Sequence, residues 1–162
     1  MGCENYSRLV REYETIMSEI TSGVSRGSAV HCPATADAVN DFLRTGDVHR
    51  VTADGLTEFR HPDTVRFNTR PLAEIAHGIE NCQHRVVRAV RTAEQMSQGG
   101  LTQHHYFVLF RYNSELYVAD AFGEPILTTN VSGYLSTLVA DSLQLASRNY
   151  DIEEVDPLAG DI

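Results

Sequence analysis

The chain has 162 residues, enough to close one hydrophobic core unaided. Its 42% hydrophobic and 22% charged content is ordinary globular usage. A formal net charge of -9 without basic clusters argues against nucleic acid, whose binding rests on neutralising phosphates.

The opening residues, Met1-Gly2-Cys3-Glu4-Asn5-Tyr6, lack the basic-then-apolar layout of a signal peptide. An acylation motif at Gly2 expects Ser or Thr where this chain has Tyr6. Residues 5–20 read as one amphipathic helix through Tyr6, Leu9, Tyr13, Ile16, Met17 and Ile20. Residues 21–28, rich in Ser and Gly, read as a loop. A second helix follows Cys32, with Pro33 in its first turn and Gly46 as terminator. Its buried stripe is Thr35, Ala38, Val39, Phe42 and Leu43. Residues 47–70 mix short alternating pieces with turn residues and give no clear element. Pro71 opens a short helix through Leu72, Ile75 and Ile79.

The period then changes. Residues 85–91 read as a strand, 92–103 as a polar loop, and the aromatic run 104–112 as a strand. Asn113-Ser114 makes a tight turn into a partner strand, 115–121. A short strand at 126–129 and a helix over 131–147 follow. Residues 1–150 thus form one domain, and 151–162 an acidic C-terminal tail. Helices first, then an antiparallel meander, then a helix is an α+β order. No run approaches the roughly 18–20 apolar residues of a membrane span.

Three cysteines, Cys3, Cys32 and Cys82, are too few and too far apart to read as a disulfide framework, and they fit a reducing compartment. Cys32 stands at a helix N-terminus, where unpaired N–H groups and the helix dipole favour a thiolate. A small buried hydrophobe is the bland alternative for such a residue. Cys82, between a helix and a strand, is a rival nucleophile, but no helical run starts there and it reads as structural; Cys3 reads as incidental. A zinc site from His31, Cys32, Cys82 and His84 has the wrong spacing for structural zinc.

With the turn centred on Asn113-Ser114, Tyr112 pairs with Glu115 and Phe107 with Asp120. His105 and Asp120 then leave the sheet on one face as diagonal neighbours. His104 leaves on the other face, and a one-residue bulge would exchange the two histidines. Cys32, His105 and Asp120 match nucleophile, general base and orienter.

These residues carry a resemblance to the papain-like superfamily, in its small bacterial toxin and effector domains and glutamine deamidases. The matching segments are Cys32-Pro33-Ala34-Thr35-Ala36, Phe42-Leu43-Arg44-Thr45-Gly46, the His strand 105–109 and the Asp strand 116–120. Residues 117–123 are also similar to the Asp strand of arylamine N-acetyltransferases, whose cofactor-binding region has no counterpart here. Two departures are visible. His31 stands where such families often have Asn, and Pro33 removes a backbone donor near the oxyanion. His31 or Arg26 would then complete the oxyanion hole.

The resemblance implies a papain-like fold with N-terminal helices packed on an antiparallel sheet. It implies catalytic Cys32, His105 and Asp120, with no cofactor and no metal. It points to a protein substrate in a target or host cell, with a cognate immunity protein or chaperone as partner. Export would be without a signal peptide; otherwise the protein is cytoplasmic. Glutamine deamidation leads, ahead of proteolysis and transglutamination. A non-enzymatic partner-binding domain is the competing expectation.

Overall fold

The computed structural model describes residues 3–22, 32–51, 67–97, 103–120 and 126–146, with the side chains of 32–34 outside that set. The architecture is α+β, with helices on both faces of an antiparallel sheet. Its elements are α1 (Glu4–Arg11), α2 (Tyr13–Ile20), α3 (Cys32–Thr45), β1 (Phe67–Thr69), α4 (Leu72–His77) and β2 (Gln83–Val90). They continue with α5 (Ala93–Ser97), β3 (His104–Tyr112), β4 (Glu115–Asp120), β5 (Ile126–Thr128), α6 (Val131–Ser136) and β6 (Ser142–Ala146).

The expected first helix is two. Its apolar face runs on, but the backbone breaks at Glu12, with φ -121° and ψ 31°. That bend carries Tyr13 to the end of β4, where its hydroxyl finds backbone partners. Helix α3 opens at Cys32 as expected and stops at Gly46, whose φ is +84° and whose N–H reaches the Phe42 carbonyl. All five stripe residues are buried, and so are Ala36, Asp37 and Asn40, so α3 is enclosed on almost every side.

The sheet order is β1-β6-β2-β3-β4-β5, and every pairing is antiparallel. One correction concerns the last expected helix. It ends at Ser136, and residues 142–146 form β6, inserted between β1 and β2. Leu138, Leu143 and Ala146 satisfy a helical spacing, but Leu143 and Leu145 also alternate with Ser142, Gln144 and Ala146. Short apolar runs do not separate the two periods. Here the paired edge of β2 decides, beginning with the Asp141 N–H on the Val90 carbonyl. Within the expected loop 92–103, Thr92 and Gln95 cap each other reciprocally and start α5.

The two faces of the sheet carry separate cores. On the front, α1, α2 and α3 cover Val86, Val108, Phe110 and Ala119. On the back, Ile75, Ile79, Val131, Tyr134 and Leu138 cover Val87, Phe107, Leu109 and Val118. Among the described residues, no helix is long and apolar enough to cross a membrane.

The cysteine expectation is overturned. Cys3 and Cys82 form a disulfide, with Cα atoms 5.0 Å apart across 79 positions of sequence. The fold makes this possible by laying the start of α1 beside the residue that leads into β2. Cys82 itself donates its N–H to the Arg111 carbonyl, which fixes it at the far end of β3. Cys3 is therefore structural rather than incidental. A cross-link closing so long a loop contributes about 2–5 kcal/mol, chiefly by restricting the unfolded chain. Reduction, or Cys3→Ser, should lower the unfolding free energy by that amount, read as a lower urea midpoint. An unchanged midpoint after reduction would mean that α1 is held without the bond.

Candidate functional site

The β3–β4 hairpin has the expected register, with Tyr112 opposite Glu115 and Val108 opposite Ala119. No bulge interrupts the pairing of β3 with either neighbour. His105 therefore points to the back face, beside Phe107, and His104 to the front. His105 Nε2 lies 2.8 Å from Asp120 Oδ2, and the two residues are 1% and 5% exposed. The Phe107 ring stacks on the His105 imidazole. Tyr134 of α6 donates its hydroxyl to the same carboxylate oxygen at 2.6 Å, and its ring meets Phe107 edge-on.

The backbone of Asp120 is held from the front. Tyr13 Oη accepts from the Asp120 N–H at 3.0 Å and lies 2.8 Å from the Asp120 carbonyl and 2.6 Å from that of Ile126. Its single proton is shared between those two carbonyls. Burial, and behind it the Asp120 carboxylate, pushes the Tyr13 phenol well above its ordinary 10.0. Burial also raises Tyr6, against the opposing field of Arg85. Neither tyrosine was singled out for the site by sequence. Both read as core residues at helical spacing, and their hydroxyl partners lie 78 to 113 residues away in sequence.

Cys32 opens α3, and its side chain is not among those described. The helix packs on the front of the sheet, the face opposite the His105–Asp120 pair. Its direction follows from its anchors. The Leu43 carbonyl accepts from Asn5 and the Gly46 carbonyl from Arg8 of α1. The disulfide ties the start of α1 to the end of β3 near Arg111. One turn earlier, Asn40 contacts His84, which lies opposite Phe110. The N-terminus of α3 thus points toward the other end of the sheet, where β3 begins and β4 ends. That end carries His105 and Asp120. Arg26 and His31, the oxyanion candidates, lie outside the described residues.

The rival readings fare differently. Cys82 is bonded to Cys3, which removes it as a nucleophile and as a metal ligand. His84 is buried between Tyr6, whose hydroxyl meets Nδ1 at 2.7 Å, and Asn40, whose Oδ1 meets Nε2 at 2.6 Å. Both ring nitrogens are thus engaged within the fold, and the zinc reading fails at two of its four residues. Asn40, a polar residue on a buried helix, is the signal that sequence reading passed over. His104 is half-buried on the front face. Burial and the Arg88 guanidinium together hold its imidazole below the ordinary histidine range.

No protein family model, curated protein or solved structure matches this chain.

What the described geometry offers is a polarised imidazole. Against an ionised carboxylate, which only accepts, His105 presents Nε2–H. The raised phenols set a pH limit on the fold. Above pH 10 the unfolded chain loses phenolic protons that the folded chain retains, so these groups' stabilisation is lost as pH rises. Tyr13→Phe should flatten that alkaline fall and cost about 1–3 kcal/mol at neutral pH, because the Asp120 N–H loses its acceptor. Urea unfolding of wild type and variant at neutral and alkaline pH measures both.

Proposed function

We propose that the protein is a cysteine-dependent acyl-transfer enzyme with Cys32 as nucleophile, His105 as base and Asp120 as orienter. One observation carries the reading. A buried His–Asp pair at 2.8 Å lies at the sheet end toward which the Cys32 helix points. The helix N-terminus favours a thiolate at Cys32. Because α3 packs on the front and His105 faces the back, thiol and imidazole would have to meet around the start of β3.

The chemistry follows from the roles. Cys32 Sγ attacks a carboxamide carbonyl while its proton passes to His105 Nδ1. The tetrahedral intermediate collapses, His105 returns the proton to the departing amine, and a thioester remains. Water, activated by the same nitrogen, releases a carboxylate. The favoured substrate is a protein glutamine, with a peptide bond second and amine transfer third. The resemblance to papain-like toxins and effectors supports that order. It also supports a papain-like fold, delivery into a target cell and an immunity protein or chaperone as partner.

A second reading has its own observation. The His105–Asp120 pair is almost completely buried, on the face away from α3. A buried, satisfied pair suits a purely structural role, and the protein would then be an acidic partner-binding domain.

Alkylation of Cys32 against pH separates the two. The enzyme reading expects a thiol reacting well below the ordinary 8.5 or so, with that advantage lost in His105→Ala. An ordinary, His105-independent thiol sinks it. Intact mass spectrometry of candidate target proteins, with Cys32→Ala as control, then identifies the reaction. A gain of about one mass unit marks deamidation, a lost fragment proteolysis, and a joined pair amine transfer.

A further inference from the structure

Asp120 Oδ2 receives two hydrogen bonds, one from His105 and one from Tyr134. Sharing the oxygen has an electrostatic consequence. The Tyr134 hydroxyl draws on the carboxylate charge that would otherwise act on the imidazole, and so weakens the stabilisation of an imidazolium. Phe107 contacts both rings, so the three side chains hold one another in place.

We propose that Tyr134 is a positioning residue, which fixes the Asp120 carboxylate on His105 Nε2 and moderates the basicity of His105. For its catalytic meaning the proposal rests on the reading of His105 as a general base; its structural part does not. Just past β2, Arg91 sends Nε to the Leu138 carbonyl. From α2, Tyr13 bonds the Asp120 backbone and the Ile126 carbonyl, and His104 of β3 points to the front. The hydroxyl of Tyr134 donates directly to the carboxylate, so it is the group to vary.

Tyr134→Phe keeps the ring against Phe107 and removes the hydroxyl. His105, followed by NMR of its ring nitrogens, should then titrate about one pH unit higher than in wild type. The upper limb of the Cys32 alkylation profile, where imidazolium is lost, should rise by the same amount. An unmoved His105 midpoint in a folded Tyr134→Phe overturns the proposal. The wild-type protein gives a second test that needs no variant. Neutral His105 must carry its proton on Nε2, and a proton on Nδ1 overturns the proposal. If His105 moves but Cys32 alkylation ignores His105→Ala, Tyr134 keeps its positioning role and the thiol reading fails. If alkylation depends on His105 while its midpoint is unmoved in Tyr134→Phe, the thiol reading stands and the role of Tyr134 falls.

Discussion

The pairing of β3 with β4 is the constraint on which the candidate site depends. Side chains alternate across a strand with a period of two, so a slip of one residue would send His105 to the front and His104 to the back. The register is fixed by a two-residue turn in which Asn113 and Ser114 both have positive φ, 53° and 66°. That left-handed geometry matches the twist of the flanking strands, at a cost of roughly 1–2 kcal/mol per non-glycine residue. Part of that cost is offset outside the hairpin, where the Ser114 N–H donates to Asn81 Oδ1 at 2.8 Å. Apolar burial on both faces adds to the penalty for slipping, because Phe107 and Leu109 belong to one core and Val108 and Phe110 to the other.

Polar contacts then couple the layers across this sheet. Tyr13 arrives from the front and grips the Asp120 backbone, while Tyr134 arrives from the back and grips its carboxylate. At the opposite end, Tyr6, His84 and Asn40 form a buried chain joining α1, β2 and α3. Both ends thus combine a histidine with a phenol and a carbonyl-type acceptor. They differ in the acceptor's chemistry: an amide oxygen leaves His84 as structural cement, whereas a carboxylate can polarise His105.

Much of this was legible in the sequence, and the failures have physical reasons. The hairpin, its register and the side-chain faces followed from alternation and one turn signal, because both are local. The start and stop of α3 were visible in Pro33 and Gly46 for the same reason. The division of α1 from α2 was not, because nothing in the residues around Glu12 forbids a continuous helix; tertiary contacts of Tyr13 decide it. Strand β6 was misread as helix because its apolar residues fit both periods and its partner edge lies some fifty residues earlier. The Asp120 cluster was legible as a pair and illegible as a network. Phenol partners depend on how α2 and α6 dock, and helical spacing describes only which face they bury.

The Cys3–Cys82 bond has a practical corollary. Three sulfhydryl-bearing residues are encoded, and the cross-link consumes two of them. The oxidised molecule therefore carries a single thiol, at Cys32, without any engineering of the background. A fluorophore or spin label added under non-reducing conditions would report on the start of α3 alone. Adding reductant would triple the labelling stoichiometry and blur that report.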